Sequence, residues 1–141
     1  MTLTRFLEAQ EGTYATALAE VRAGHKRSHW MWWIFPQLRG LGRSETARRY
    51  GIADAAEARA YLGHPVLGPR LIEVTEAMLA HAGTPAAAIL GQTDAQKLRS
   101  SATLFAAVGD LPCFDAVIDR FYDGARCRFT QGALENDEYG E

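Results

Sequence analysis

Apolar residues recur at intervals of three and four through most of this chain, and that spacing admits little except helix. Tyr14, Leu18 and Val21 follow it, as do Leu67, Leu71, Val74 and Met78. Leu98, Ala102 and Phe105 repeat it, and Phe114, Val117 and Phe121 continue it. Side chains so spaced share one face of an α-helix, whereas a half-buried strand alternates every second residue. Hairpin-type alternation is absent and no strand–helix–strand rhythm appears. The pattern predicts an all-α fold.

The breaks between the periodic stretches agree. Thr13 is placed to cap a helix ending near Gly24, and Ser44 one running to Tyr50. Asp54-Ala55-Ala56-Glu57 approaches a capping box, in which the acid reaches back to a free amide. Pro65 suits a first helical turn, with Gly83 past that helix's end. Thr84-Pro85 opens a short helix stopping at Gly91. Thr93 or Asp94 caps the next, to Gly109, and Pro112 begins one that closes at Gly124. The expectation is a single-domain bundle of about seven short helices with short links, spanning residues 1–124. Residues 125–141 hold Glu135, Asp137, Glu138 and Glu141 with little apolar content, and read as a flexible acidic tail.

Composition narrows the class. A 141-residue chain fits one domain. At that length roughly 70% of the unfolded surface is buried, so neither metal nor disulfide is needed to fold. Two cysteines, Cys113 and Cys127, are too few for a disulfide scaffold, and a reducing cytoplasm is expected. The start, MTLTRFLEAQ, lacks the apolar stretch of a signal peptide. The longest strongly apolar run, Trp30 to Phe35, falls far short of the ~20 residues that span a bilayer. A net charge of −2 argues against a dedicated nucleic-acid packager.

Charge is nevertheless uneven. Arg22, Lys26, Arg27, Arg39, Arg43, Arg48 and Arg49 stand against Glu45 alone between Arg22 and Arg49. Within that stretch Trp30, Trp32 and Trp33 fall in four residues, beside His29 and Gln37. Such rings serve either as core anchors or, next to cations and an amide, as a platform for a base and its phosphate. On a helix Trp30 and Trp33 share a side while Trp32 turns away, so mixed use is compatible with the spacing. Gly40 and Gly42 precede Arg43 and Ser44, where free amides at a helix start would favour an anion. An ordinary glycine link into a capped helix explains the same residues. No P-loop follows, and Glu45 occupies the third glycine position of a dinucleotide fingerprint, so no cofactor is indicated.

Other constellations are weaker. His25 and His29 have helical metal-ligand spacing, but Lys26 and Arg27 between them would repel a cation, and no metal is expected. His29 or His64 suits acid–base work because imidazole titrates near neutrality; alternatively, His64 caps or packs beside Pro65. Lys97 lies one turn from Asp94 and from Ser101, which allows a surface ion pair or an activated serine. Ser100 and Ser101 also read as small residues permitting close helix contact. Glu73 with Glu76, and Asp115 with Asp119, read as solvated helix faces.

Three segments carry a resemblance: KRSHWMWWIFPQLRGLGRS (Lys26 to Ser44), HPVLGPRL (His64 to Leu71) and KLRSSATLF (Lys97 to Phe105). Together they resemble the domain-of-unknown-function 1810 family of small bacterial proteins, from about Phe6 to Tyr122. The resemblance implies a mainly helical single domain and no particular reaction. Some members carry the name calpastatin, but nothing in these residues supports protease inhibition.

The leading expectation is a small-molecule binding protein, or an enzyme, for a phosphorylated or nucleotide-like ligand. Its site would draw on Lys26, His29, Trp30, Trp32, Gln37, Gly42, Arg43, Ser44, Lys97 and Ser101, with His29 as the candidate acid or base. Two alternatives remain. A nucleic-acid binder would use the same basic aromatic surface. A protein-interaction module would anchor a partner on exposed tryptophans.

Overall fold

The computed structural model describes residues 2–139. Among them the chain forms ten helices joined by short links. They are α1 (Thr4–Glu11), α2 (Tyr14–Ala23), α3 (Met31–Ile34), α4 (Glu45–Tyr50), α5 (Ala55–Gly63), α6 (Leu67–Leu79), α7 (Ala86–Leu90), α8 (Gln92–Val108), α9 (Pro112–Tyr122) and α10 (Arg128–Tyr139). The all-α expectation holds, and the only β pairing among the described residues is one isolated parallel bridge, Leu38 to Ile52. The helix number was too low. The helices the periodicity missed are α1, α3 and α10. In α1 only Phe6 and Gln10 are buried, too narrow a stripe to show as a repeat. The third helix is a single turn. In α10, Thr130 is fully buried while Ala133 and Leu134 pack partly against the core.

Helix α10 lies within the segment expected as an acidic tail, and it packs against α8. Gly140 and Glu141, the end of that segment, lie outside the described residues.

The periodic residues do what their spacing requires. Leu67, Leu71, Val74 and Met78 bury one face of α6, and Leu98, Ala102 and Phe105 one face of α8. Helix α8 packs on α5, α7, α9 and α10, while α6 packs on α2, α5 and α9. Around these two spines sits a continuous core in which the Tyr61, Phe105 and Phe114 rings pack tilted to one another, with centroids 5.5 and 5.8 Å apart. The short helices α1, α3 and α4 instead pack on one another as a smaller cluster.

Several caps differ in detail from expectation. Ser44 accepts from the Ala47 amide at 3.1 Å, and Asp54 from the Glu57 amide at 2.9 Å, as their positions required. Glu57 reaches back to the Ala53 amide, one residue before the expected cap partner. Thr13 caps nothing; its hydroxyl donates to the Ala9 carbonyl. His64 Nδ1 accepts from the Val66 and Leu67 amides and so caps α6, which begins two residues after Pro65. Neither Thr93 nor Asp94 caps α8, because the helix starts earlier, from Gly91 at φ +90°. A φ in that left-handed region favours glycine.

Candidate functional site

A cleft of about 270 Å³ opens where the α1–α3–α4 cluster meets the start of α8. One wall is the segment after α2, which contributes Lys26, His29, Trp30, Met31, Trp32 and Trp33. Thr46 of α4 supplies a second wall, and Asp94 and Lys97 of α8 a third.

The first wall has no regular structure before Met31, so it must be held by other means. Gly24 ends α2 at φ +76°, and His81 seats its ring against it at a spacing that a Cβ would crowd to 3.2 Å. The Lys26 amide donates to the Ile89 carbonyl at 2.9 Å, tying the loop to α7. Glu20 then gathers the loop. Its carboxylate accepts from the Arg27 and Ser28 amides at 2.9 and 3.0 Å, the Ser28 hydroxyl at 2.6 Å and the Trp30 indole at 2.9 Å. Burial pushes this carboxyl up, but the Ser28 hydroxyl, the Arg27 amide, the Trp30 indole and the Ser28 amide together outweigh it and bring it down to about 2. Further on, the Trp33 indole donates to the Thr13 hydroxyl at 2.9 Å, and Gln10 donates to the Trp33 carbonyl at 2.8 Å.

The three tryptophans therefore divide. Trp30 is sealed in the core with its N–H spent on Glu20. Trp33 is half-buried, lines the cleft and packs on Tyr50 at 5.1 Å between ring centroids. Trp32 is half-buried too, with the Lys97 ammonium 4.2 Å from its ring centroid. Gly42 backs Trp32: a Cβ there would stand 3.0 Å from Cη2 and 2.7 Å from the Ala47 Cβ, so this position takes no side chain.

At the cleft wall Lys26 and Lys97 share one acid. Lys26 Nζ is 2.9 Å from Asp94 Oδ2, and Lys97 Nζ is 2.9 Å from Asp94 Oδ1. Lys26 also stands 5.1 Å from the Trp30 ring centroid. All three side chains are mostly buried, at 10%, 16% and 19% exposure for Lys26, Asp94 and Lys97. Burial pushes the Asp94 carboxyl up, and the two ammonium groups more than reverse it, holding the acid below its ordinary range. Two cations against one anion leave one positive charge over. Buried charges are normally balanced, so a surplus beside an open cleft gives that wall a positive potential.

Of the residues expected at the site, Lys26, His29, Trp30, Trp32 and Lys97 meet at this cleft. Gly42 touches it only through Trp32. Arg43 is exposed and does not line the cleft. Ser44 is occupied as the α4 cap. Gln37 is buried away from the cleft, where its carbonyl pairs with the Ile52 amide. Ser101 is buried inside α8, and Lys97 turns to Asp94 rather than to it. Asp94, Trp33, Met31 and Thr46 were missing from the expected set. Asp94 had been read as a surface partner of Lys97; its second partner, Lys26, comes from far along the chain. Among the described residues no group of three or more His, Cys, Asp or Glu side chains is placed to hold a metal. No helix among them is long and apolar enough to cross a membrane.

The family described as "Protein of unknown function (DUF1810)" matches residues 1–134. This extends past Tyr122, where the resemblance in the sequence was expected to end, and takes in most of α10. The chain belongs to that family. Its fold is similar to the crystal structure of the conserved hypothetical protein Rv1873 from Mycobacterium tuberculosis, with a TM-score of 0.92 and 47% sequence identity. The similarity covers 94% of this chain and 96% of that one. No curated protein matches at a significant level.

Proposed function

We propose that this member of the DUF1810 family binds a small phosphorylated molecule in the Lys26–Asp94–Lys97 cleft. The carrying observation is the shared carboxylate: two ammonium groups on one acid, with one positive charge uncompensated at a cavity wall. Charge-assisted hydrogen bonds to phosphate oxygens are the strong kind, and lysine serves phosphate as a point charge. Thr46, a hydroxyl-bearing residue, also lines the cleft. The cleft of about 270 Å³ sits just under the usual range for ligand pockets, which favours a compact group over a whole dinucleotide.

The nucleotide-like part of the expectation needs revising in one respect. Lys97 already covers the Trp32 ring, so a base would have to displace that ammonium to stack there. The anion, not the ring, is the better-supported half of the ligand. Any acid–base chemistry in the cleft falls to His29, the imidazole that lines it. The protein-interaction reading loses support because Trp30 is sealed and the Trp33 N–H is already bonded.

The test is metabolite profiling by mass spectrometry on the purified protein, with Lys97→Ala as control. Phosphorylated species should be enriched on the native protein and lost from the variant. Identical profiles from both would sink the reading.

A further inference from the structure

The histidines of this chain divide by what holds them. His64 Nδ1 accepts from the Val66 and Leu67 amides, and His81 Nε2 is bonded to the Val21 carbonyl. Both of those rings serve the fold. His25 and His29 are exposed, and neither ring has a hydrogen-bond or ion-pair partner among the described residues. Of these two, His29 lines the cleft and His25 does not.

The charges around His29 can be summed. Lys26, from the same segment, brings one positive charge to the lining; from α8, Lys97 brings another and Asp94 a negative one. Helix α4 contributes Thr46, which is uncharged, while its neighbour Glu45 is exposed and outside the lining. Glu20 of α2 is outside the lining too, engaged by the Arg27 and Ser28 amides, the Ser28 hydroxyl and the Trp30 indole. Burial raises both Glu20 and Asp94, but hydrogen bonds bring Glu20 down to about 2 and the two ammonium groups hold Asp94 below its ordinary range. Both acids are therefore ionised near neutrality. The lining carries one net positive charge with His29 neutral and two with it protonated. Imidazole is the one side-chain type among these whose charge ordinarily changes between about pH 5 and 8. A bound anion favours the protonated ring, and by linkage the protonated ring favours the anion equally.

Resting on the reading above, we infer that His29 selects a doubly charged phosphate, the terminal group of a phosphate monoester, by meeting it as the imidazolium. Two positive charges then answer two negative ones, and the proton stays on the ring. A phosphate diester carries a single negative charge, which the lysine surplus already answers, so protonation adds less to its binding.

Orthophosphate changes its own charge in the same pH window, so the probes are sulfate and methyl sulfate, fixed dianion and fixed monoanion. The experiment is titration calorimetry on the full chain. Sulfate binding should tighten roughly tenfold from about pH 8 to about pH 6, and methyl sulfate binding by less than about threefold. Near neutrality sulfate should bind with proton uptake, read from titrations in two buffers of different ionisation heat. His29→Gln should keep sulfate binding at about pH 8 and lose both the pH dependence and the uptake. The exposed, unpartnered ring has no structural contact to lose, so this variant should melt with the native protein. His25→Gln removes the other unpartnered imidazole, outside the cleft, and should keep both effects. Lys97-dependent sulfate binding that is flat with pH, or whose pH dependence survives in His29→Gln, overturns this inference alone. So does an equal gain for the two probes, or loss of the effect in His25→Gln. Absence of binding to either probe, or binding indifferent to Lys97→Ala, overturns the proposed function as well.

Discussion

Two cation–carboxylate groups in this molecule look alike in a residue list and differ in stoichiometry. At one, Arg5 meets Glu57 with a fork of 3.1 and 3.3 Å. The rest of that guanidinium donates to the carbonyls of Thr2, Arg49 and Gly51 at 2.8, 2.6 and 3.1 Å. Glu57 uses its remaining capacity on the Ala53 amide. One charge answers one charge, and the group staples α1 to the start of α5. At the other, two lysines answer one aspartate beside open space. Balanced pairing marks a structural joint. Surplus pairing beside a cavity is the observation on which the proposed anion site rests.

The largest expected effect breaks the balanced pair. Glu57→Ala leaves the Arg5 guanidinium, 18% exposed, without its counter-ion. Removing one partner of a buried pair costs about 3–5 kcal/mol, and urea denaturation should show a loss of that size. A loss below about 1 kcal/mol would mean that the pair behaves as a surface contact.

A second effect, smaller and dependent on pH, probes a carboxylate served only by uncharged donors. The Glu20 carboxyl titrates at about 2 in the folded protein against an ordinary 4.5. A lowered folded value means that its contribution is complete above about pH 4.5 and is lost as pH falls toward 2. The urea midpoint of the native protein should therefore fall more steeply below pH 4.5 than that of Glu20→Gln. Parallel curves would show that the Ser28 and Trp30 bonds do not hold the loop.

The smallest effect is on the surplus pair. Lys97→Ala leaves Asp94 still paired with Lys26, so stability should change by no more than about 1 kcal/mol. A loss as large as that of Glu57→Ala would make the lysine a structural element and erase the contrast.

The sequence revealed the fold wherever a helix buries a broad face. In α6 and α8 the repeat of apolar residues is the physical cause of burial, so reading one reads the other. It failed for α1 and α10, whose few buried groups include polar ones such as Gln10 and Thr130. Gln10 is buried because it bridges the Trp33 carbonyl and the Tyr61 hydroxyl, a contact between distant parts of the chain. The site was legible by chemistry and not by partnership. Lys26, His29, Trp32 and Lys97 announced themselves as charged or aromatic residues in unusual company. Asp94 did not, because an i, i+3 lysine gave it a sufficient local explanation. Gln37 and Ser101 look polar in sequence and are buried by packing that no local spacing encodes.

The placement of Lys97 over Trp32 has an optical consequence. Indole emission responds to charge near the ring, and here an ammonium stands 4.2 Å from the centroid of a half-exposed one. The other two indoles are fixed by hydrogen bonds to Glu20 and Thr13. Whatever draws the Lys97 ammonium away changes the environment of one chromophore while the others keep their surroundings. The cleft thus carries its own gauge: the colour and intensity of Trp32 emission report whether that lysine is at rest on the ring or turned toward a guest.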